Sequence, residues 1–340
     1  MTPSTHVRVA VDLLGGDGAP DVVVDGAVLA ARDPGIAVVL VGPPDIAATL
    51  LAARNATGLV GIEPAFESVG MDEDPVRAVR AKRDASVRVC ARMVRDARAD
   101  AAVSTGSTGA FVVAAVLTLG RLPGVTRPAI AVTVPATNGP VVLLDAGANV
   151  ECGADLLAQF ALSGAAYAAT RFHLDQPKVG LLCNGTEPGK GDALRREAAA
   201  LFAELPMTFV GYVESEAVTA GGIADVVVTD GFTGNVLLKG IEGMHALTHT
   251  ALARSLSDPS AALEALQPFG ADRLGGALLL GVPATIVIGH GAAGPEAIAA
   301  CVKLAADAVR EQVVPRVTEA MAQLASLRST ESGLAGATSQ

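Results

Sequence analysis

Six short glycine-rich segments hold most of the polar residues that could bind an anion. Several of them place Ser, Thr or Asn just before a predicted helix, where the side chain caps the helix and the free amides behind it can bind a negative group. One such segment alone is more often a tight turn with a cap, but six favour a site that handles phosphate. They are "DLLGGDGAP" (12–20), "STGSTGA" (104–110), "DAGANVEC" (145–152), "CNGTEPGKGD" (183–192), "DGFTGN" (230–235) and "GHGAAG" (289–294).

None of these segments matches a known nucleotide fingerprint. "GGDG" (15–18) lacks the G-x-G-x-x-G spacing of dinucleotide sites. "GTEPGKG" (185–191) resembles a P-loop but is one residue short, and Gly191 stands where Ser or Thr should hold magnesium. We therefore expect no NAD, ATP or other cofactor, and the ligand left open is inorganic phosphate or the phosphate of a carrier group.

The metal-binding residue types are scattered. The four cysteines, Cys90, Cys152, Cys183 and Cys301, show no C-x-x-C spacing, which argues against a zinc site or disulfides. Two histidines, at 245 and 249, stand four apart on a predicted helix, but the glutamate of H-E-x-x-H is replaced by alanine. We interpret them as surface or core residues and predict no metal.

Positive charge is concentrated in residues 77–98, "RAVRAKRDASVRVCARMVRDAR", which hold eight basic and two acidic residues. The rest of the chain has 17 basic and 33 acidic residues. Arg88, Arg92 and Arg95 recur at i, i+4 and i+7 and so share one helix stripe. The stripe is either a solvated helix face or a platform for an acidic macromolecule.

Short Val/Ile-rich runs alternate with Ala-rich stretches of helical periodicity. Strands are predicted at 7–12, 36–41, 101–104, 129–134, 141–145, 178–183, 208–210, 225–229 and 285–288. Helices are predicted at 20–32, 45–54, 86–98, 107–119, 154–171, 192–205, 235–255 and 295–314. No helix is predicted around 221–222 or between 129 and 145, where "PATNG" suggests a hairpin turn.

This alternation predicts an α/β fold, a doubly wound and mostly parallel sheet in three α/β/α layers, with room for two lobes around a cleft. We expect one domain over residues 1–330 and a disordered tail at 331–340. Ligands of open α/β sheets bind beyond the carboxyl ends of the strands, where the six segments fall.

Composition excludes several classes of protein. A net charge of −10 and 3% aromatic residues argue against nucleic-acid binding. The start, "MTPSTHVRVAVD", has no basic stretch followed by an apolar one, so we expect no signal peptide there. The least polar run, 274–289, is too short to span a bilayer. We expect a cytoplasmic protein.

Seven segments together resemble the bacterial phosphate acyltransferases of phospholipid synthesis, the PlsX family. The resemblance covers about residues 7–314, and "DAGAN" with "DGFTGNV" is highly specific. In chain order the segments are "VAVDLLGGDGAP", "MDEDPVRAVRAKRDAS", "STGSTGA", "RPAIAV", "LLDAGANVEC", "ADVVVTDGFTGNVLLKGIEG" and "LGGALLLGV" followed by "IGHG".

The resemblance implies an enzyme that converts acyl-[acyl carrier protein] and inorganic phosphate reversibly to acyl phosphate and free carrier protein. It also implies a homodimer with a fold like isopropylmalate dehydrogenases and phosphotransacetylases. The acyl phosphate would feed a membrane glycerol-3-phosphate acyltransferase, which suggests work on the inner face of the membrane. The acidic carrier protein would suit a docking face of Arg88, Arg92 and Arg95.

Two loops depart from the family pattern. Where the family commonly reads "NIGEE" before "KG", this chain has "CNGTEPGKG" with Asn184 and Thr186. Where the family commonly has Asn in "GNTGA", this chain has Ser107. The departures concern chain-length or donor preference and leave room for a specialised paralogue.

The implied reaction assigns roles to residues of four segments. A dianionic phosphate needs placement near the thioester carbonyl and a stabilised oxyanion. We expect Lys190 to neutralise phosphate charge and His290 to protonate the departing thiolate. Phosphate or oxyanion ligands are expected at Ser107, Thr108, Gly109, Thr233, Gly234 and Asn235, with Asp230 in the same loop.

The remaining candidates are assigned less directly. Asp145 and Asn149 are expected to shape the cleft, and Lys82 and Arg83 to bind either phosphate or carrier protein. Cys152 could instead take the acyl group as a nucleophile, but no histidine adjoins it in the sequence. The segment 255–281 is either dimer core or a peripheral membrane contact.

Three rival functions are weighed against this prediction. A phosphotransacetylase-like enzyme would use acyl-coenzyme A, and the fold alone does not separate it from the carrier-protein enzyme. A metal- and NAD-dependent decarboxylating dehydrogenase would need aspartate ligands and a nucleotide site, which the sequence does not supply. A scaffold without activity would leave the glycine loops without a purpose.

Overall fold

The computed structural model describes residues 6–270 and 276–337. Two compact units are distinguished: unit 1 is Met1–Gly120 with Lys239–Glu311, and unit 2 is Arg121–Leu238 with Gln312–Gln340. The single domain predicted over residues 1–330 stays a prediction.

The strands alternate with helices along most of the chain. The strands are β1 (Val7–Asp12), β2 (Ile36–Gly42), β3 (Gly61–Pro64), β4 (Ala101–Ser104), β5 (Ala129–Val134), β6 (Val141–Leu144), β7 (Lys178–Leu182), β8 (Thr208–Val213), β9 (Val226–Val228), β10 (Ala277–Leu280) and β11 (Thr285–Ile288). The helices are α1 (Asp21–Ala30), α2 (Pro44–Ala53), α3 (Pro75–Ala81), α4 (Ser86–Arg95), α5 (Thr108–Leu119), α6 (Ala154–Phe172), α7 (Ala193–Glu204), α8 (Glu216–Ala220), α9 (Gly231–Ser255), α10 (Ser260–Leu266), α11 (Pro295–Arg310) and α12 (Val313–Ala337), with a 3-10 turn at Gln267–Phe269.

Unit 1 is built on strands in the order β3-β2-β1-β4-β11-β10. All neighbouring pairs are parallel except β10 with β11. α1 packs on α11, and α4 packs on α5, and both pairs include a helix that contacts β1 and β4. The burial pattern of α4 explains its position, since Val87, Cys90 and Met93 are buried while Arg95 is exposed.

Unit 2 is built on strands in the order β5-β6-β9-β7-β8. β5 and β6 form an antiparallel hairpin, with Thr133 opposite Val142, as "PATNG" predicts. The other pairs are parallel. The apolar run of β9 is fully buried, and α6 packs against it and against α12.

The strands that the sequence did not predict have weak signals. β3 is a short edge strand of exposed or half-buried residues, "GIEP". β10, "ALLL", is buried, but its run of identical residues has no strand periodicity. The short helices α3, α8 and α10 and the second C-terminal helix α12 were also not predicted.

The structure bears on two predictions for the C-terminal part of the chain, those for residues 255–281 and for the tail at 331–340. β10 is buried in unit 1, so this part of the segment 255–281 is available for neither a dimer core nor a membrane contact. Residues 271–275 of the segment lie outside the described residues. α12 runs to Ala337, and residues 338–340 lie outside the described residues. The disordered tail predicted at 331–340 stays a prediction. None of the helices in the described ranges is long and apolar enough to cross a membrane.

Candidate active site

The six glycine-rich segments sort into two groups of three, one in each unit. In unit 1 the loops after β1, β4 and β11 touch one another. Asp17 N donates to Gly291 O at 2.8 Å, and Thr105 Oγ1 donates to Gly15 O at 2.9 Å. The loops at the carboxyl ends of three neighbouring strands therefore meet, as expected for a parallel α/β sheet.

Asp12 organises this group of loops. Its buried carboxylate accepts the Ser104 hydroxyl at 2.7 Å and the Leu14 amide at 3.1 Å. Burial raises the pKa of Asp12, and these hydrogen bonds oppose the rise. A Cβ on Gly15 would lie 2.5 Å from Asp12 Oδ2, so only glycine lets the β1 loop lie this close to the carboxylate.

The first turn of α5 begins with a side-chain cap. Ser107 is its N-cap and accepts the Ala110 amide at 3.4 Å. The amides of Thr108 and Gly109 precede that bonded position and have no acceptor within the helix. Thr108 is exposed and Gly109 is half-buried, so a ligand can reach this end of the helix, where the helix dipole is positive.

His290 is held by its neighbours on both ring nitrogens. Nδ1 lies 3.2 Å from the Ala292 amide, and Nε2 lies 3.0 Å from Lys239 Nζ. Lys239 also donates to Glu242 Oε2 at 2.7 Å. The sequence analysis missed Lys239 and Glu242, although the family-like segment "LLKGIEG" contains both.

The Lys82 side chain forms hydrogen bonds with other residues of unit 1. Its Nζ donates to Glu73 Oε1 at 2.6 Å and to the Ser68 carbonyl at 2.8 Å. The hydrogen bond from Lys82 lowers the pKa of Glu73 below its ordinary value. Arg83 is exposed. The roles of both residues in binding phosphate or carrier protein stay predictions, with Arg83 the more available of the two.

The predicted docking stripe is largely paired within the chain. Arg88 is half-buried and donates to the Val79 carbonyl at 2.9 Å. Arg92 donates to a backbone carbonyl at 2.6 Å, and Arg95 pairs with the neighbouring Asp96 at 2.8 Å. A docking role for the three stays a prediction, but Arg88 presents little free charge.

In unit 2, Asp145 shapes the loop after β6. It is fully buried, and burial raises its pKa while the hydrogen bonds it accepts oppose the rise. Five donors within 3.1 Å surround the carboxylate: the amides of Ile130, Gly147, Ala148 and Asn149 and the side chain of Asn149. Asn149 is buried too and also donates to the Pro128 carbonyl. Asp145 and Asn149 therefore use their side chains in hydrogen bonds that hold the loop in place.

The amides at the start of α9 are occupied as well. Asp230 accepts the Thr233 amide at 2.8 Å through Oδ1 and the Thr233 hydroxyl at 2.8 Å through Oδ2. The Gly234 amide donates to the Asp230 carbonyl at 2.9 Å. The roles predicted for Thr233 and Gly234 in binding phosphate or oxyanion stay predictions, but neither amide is free to donate to an anion.

Arg195 is the cation that sequence reasoning missed in unit 2. Its Nη2 donates to Asp230, Thr229 and Thr233, and its Nη1 lies 2.9 Å from Asp192. Burial alone would raise the pKa of Asp230, but the bonds from Thr233 and the charge of Arg195 outweigh it, so that pKa is lowered. The available signal was its place one turn into the helix after "CNGTEPGKGD".

The two predicted catalytic residues of unit 2 are exposed. Lys190 Nζ lies 3.8 Å from Glu187 Oε2, a loose pair in solvent. Asn235 donates weakly to the Ala146 carbonyl at 3.3 Å. In the altered loop, the Asn184 side chain accepts the Gly191 amide at 3.0 Å, and Thr186 is exposed. These side chains remain available to a ligand.

Cys152 lacks the features of a nucleophile. Its Sγ lies 3.6 Å from the Asn149 carbonyl, and burial raises the pKa of the thiol to about 11. A thiolate is the reactive form, so this thiol is poorly activated near neutral pH. Across residues 6–270 and 276–337, no group of three His, Cys, Asp or Glu side chains is placed to hold a metal ion.

Sequence comparison identifies the family of this chain. A family model described as "Fatty acid synthesis protein" matches residues 7–316. The chain belongs to this family. It is an acyltransferase, and the predicted resemblance to phosphate acyltransferases is confirmed.

Relatives of this family cover nearly the whole chain. A phosphate acyltransferase of Thermobifida fusca (strain YX) is 43% identical over 332 residues, 93% of this chain and 91% of the relative. One of Trichlorobacter lovleyi is 40% identical over 329 residues, 93% of this chain and 95% of the relative. The similarity therefore includes both units.

Solved structures support the fold. A phosphotransacetylase from Streptococcus pyogenes has a TM-score of 0.63 at 19% identity. The match covers 91% of this chain and 94% of the phosphotransacetylase chain. The EutD phosphotransacetylase from Staphylococcus aureus has a TM-score of 0.61 at 17% identity and covers 90% and 95%. The predicted phosphotransacetylase-like α/β/α fold is confirmed.

Proposed function

We propose that this acyltransferase moves the acyl group of an acyl-[acyl carrier protein] thioester to inorganic phosphate, reversibly, and forms acyl phosphate. Relatives named phosphate acyltransferase support phosphate as the acceptor. The observation that carries the proposal is the first turn of α5, where Ser107 caps the helix. The two amides that follow have no acceptor within the helix, and the loop touches those after β1 and β11.

Phosphate would bind at this turn. The amides of Thr108 and Gly109 donate to its oxygens, and the helix dipole favours its charge. Because hydrogen phosphate is already a competent nucleophile, placing it against the thioester carbonyl supplies much of the rate enhancement. His290 follows β11, next to the β4 loop, since the Gly289 amide donates to the Ser104 carbonyl at 2.9 Å. This brings a proton-handling group to the same loops.

Unit 2 has polar side chains of its own that are available to a ligand. The Lys190 side chain is 46% exposed and only loosely paired, which supports its predicted role as a counter-charge for an anion. Asn235 is exposed, which supports its predicted role as a hydrogen-bond donor. Asp145 and Arg195 would act indirectly, by fixing the loops that carry these residues.

The thioester donor would be a small acidic carrier protein, and the basic segment 77–98 its docking face. Arg77 and Arg80 on α3, and Arg83 after it, are exposed, and in the described part of the chain none of the three has a carboxylate within 4.0 Å. We therefore place the main docking charge there, with Arg92 and Arg95 contributing and Arg88 mostly structural.

Assembly and location are part of the proposal. We propose a homodimer whose acyl phosphate feeds a membrane glycerol-3-phosphate acyltransferase, with the enzyme cytoplasmic or peripheral on the inner membrane face. Two apolar side chains on α9, Met244 and Leu247, are each 61% exposed. They support the proposal that a second subunit or the membrane covers this surface. Sedimentation of the purified protein would show the dimer, and flotation with anionic liposomes would show membrane contact.

The test of the reaction compares two donors. Purified protein is mixed with palmitoyl-carrier protein or palmitoyl-coenzyme A, with and without phosphate; free thiol is followed and acyl phosphate is trapped with hydroxylamine. Phosphate-dependent turnover of the carrier-protein thioester supports the proposal. Turnover of the coenzyme A thioester alone would favour a phosphotransacetylase. With no turnover of either, the altered loops at Ser107, Asn184 and Thr186 would point to another acyl donor.

A further inference from the structure

One surface of unit 1 combines exposed apolar side chains with exposed arginines. Phe66 and Met71, in the segment between β3 and α3, are each 68% exposed, and Val76 at the start of α3 is 42% exposed. Arginines at three positions of α3 and the turn after it are exposed as well. We call the following six residues the mixed surface: Phe66, Met71, Val76, Arg77, Arg80 and Arg83.

Hydrogen bonds fix the segment that carries the apolar residues. The Phe66 amide donates to Asp84 Oδ2 at 2.9 Å, and Lys82 Nζ donates to Glu73 Oε1 at 2.6 Å. The segment before α3 therefore lies against the turn between α3 and α4, which carries Arg83. The apolar side chains and this arginine are thus displayed by one hydrogen-bonded part of the chain.

The short helix α3 adds both kinds of side chain to the same surface. Val76 and Arg80 are four residues apart and lie on the same side of the helix, with Arg77 next to them. Ala78 and Val79 are buried, so α3 packs through its other side. The exposed side of α3 is therefore apolar at one end and basic along the rest.

The charge of the mixed surface calls for an acidic partner. Within the described residues, no carboxylate lies within 4.0 Å of the side chains of Arg77, Arg80 or Arg83. The nearby Asp74 accepts the Arg77 amide at 2.7 Å as the N-cap of α3. Phenylalanine, methionine and arginine are enriched in protein interfaces, and exposed apolar patches with a polar rim mark such sites. The partner that fits is an acidic protein with apolar side chains among its carboxylates.

The mixed surface adjoins the turn at which phosphate is proposed to bind. A Cβ on Gly109 would lie 2.9 Å from Pro75 Cγ, so the first turns of α3 and α5 touch. A protein bound to the mixed surface therefore stands next to the amides at the start of α5. A thioester on a flexible arm of that protein has only a short distance to cover.

We propose that the mixed surface binds the acidic carrier protein, and that its three apolar side chains make the enzyme prefer the carrier-protein thioester to the coenzyme A thioester; this inference rests on the proposed function. The phosphates of coenzyme A are also attracted by arginine, but coenzyme A offers no apolar protein surface to Phe66 and Met71. The arginines steer association, whereas the apolar contacts hold the complex once it has formed. The two kinds of side chain should therefore change different rate constants.

The test measures carrier binding and donor choice separately. Surface plasmon resonance of the full chain with palmitoyl-carrier protein, without phosphate and at low and high salt, gives kon and koff for wild type, Phe66→Ser, Met71→Ser and Arg80→Gln. Donor choice is kcat/KM for palmitoyl-carrier protein divided by kcat/KM for palmitoyl-coenzyme A. Leu59→Ser and Arg32→Gln are matched controls, because both residues are exposed but precede strands β3 and β2, whereas the mixed surface follows the carboxyl end of β3.

Phe66→Ser and Met71→Ser should each raise koff about 10-fold and leave kon within about 2-fold. The donor ratio should fall about 10-fold in both. Arg80→Gln should lower kon about 5-fold at low salt and by less at high salt, because salt screens the attraction. Asp72→Asn removes an exposed acid of the same segment and should raise kon about 2-fold. The two controls should match the wild type in every measurement.

Two results would overturn the proposal: rate constants of Phe66→Ser and Met71→Ser equal to those of Leu59→Ser, or a wild-type protein that does not bind palmitoyl-carrier protein. Flotation with anionic liposomes that Phe66→Ser abolishes, with carrier binding unchanged, would assign the mixed surface to a membrane instead. Carrier binding by the wild type without phosphate-dependent thiol release would reject the proposed function and leave the docking surface in place, so the two failures are distinguishable.

Discussion

Arg195 and Asp230 form an ion pair at the first turn of α9, and their side chains are only 13% and 10% exposed. The pair joins α7 to the loop "DGFTGN", because the same guanidinium also bonds Asp192, the N-cap of α7. Removing one partner of such a pair leaves the other charge without compensation in a site of low dielectric.

Arg195→Met should therefore lower the free energy of unfolding by about 3 kcal/mol, the lower end for breaking a buried pair. Arg196→Met, at the exposed neighbouring position, should change it by less than about 0.5 kcal/mol. Urea titration of the three proteins measures both. An equal effect of the two substitutions would show that the Arg195–Asp230 pair contributes nothing of its own.

The same pair predicts an acid dependence. The folded state holds the pKa of Asp230 below its ordinary value of 3.8, so the stabilisation is present above that pH and is lost as the pH falls through the lowered folded value. The difference in unfolding free energy between wild type and Asp230→Asn should shrink as the pH is lowered below about 4. Urea titrations of both proteins at pH 7 and pH 3 measure this difference. An equal difference at the two pH values would contradict a stabilising Arg195–Asp230 ion pair.

Gly234→Ala should be strongly destabilising. Its Cβ would lie 1.9 Å from the Asp145 carbonyl oxygen, a backbone atom fixed by the buried loop. We expect a loss of about 3 kcal/mol or more, as for a forced overpacking. Gly243→Ala on the same helix meets nothing within 4 Å and should gain roughly 0.5–1 kcal/mol. Thermal unfolding of both variants would contradict this account if they shifted in the same direction.

Ser107→Ala should weaken phosphate binding and the start of α5 together. Loss of this cap should cost about 1 kcal/mol of stability. The KM for phosphate should rise by about 5-fold, equivalent to a similar free energy. Ser215→Ala is the control, because Ser215 precedes α8 without a side-chain cap bond. A KM for phosphate unchanged by Ser107→Ala would move the phosphate site away from α5.

Cys152→Ala should keep kcat within about 2-fold, because a thiol whose burial raises its pKa to about 11 supplies little thiolate near neutral pH. Steady-state turnover measures the effect, and mass spectrometry of the protein quenched during turnover looks for an acyl group on the thiol. A large loss of kcat together with acylated Cys152 would restore the covalent route.

The sequence predicted the elements whose patterns are local. Most strands and helices, the "PATNG" hairpin and the positions of the six glycine loops follow from periodicity and turn chemistry. β3 and β10 were missed because an exposed edge strand and a uniform "ALLL" run carry no alternation.

The site was predicted only in part because its partners are distant in sequence. The Arg195–Asp230 pair joins residues 35 apart, and the Lys239–His290 contact joins residues 51 apart. Single-sequence patterns do not register such pairs. For the same reason Thr233 and Gly234 looked like free donors, although Asp230 already binds both amides.

The most direct test of the account is to observe the product. Wild-type protein, palmitoyl-carrier protein and inorganic phosphate are followed by 31P NMR, with reactions lacking enzyme or thioester as controls. The account predicts a new acyl phosphate resonance that grows in step with free thiol and disappears when hydroxylamine is added. Release of thiol with palmitate and no acyl phosphate signal, even transiently, would make the protein a thioesterase and contradict the account.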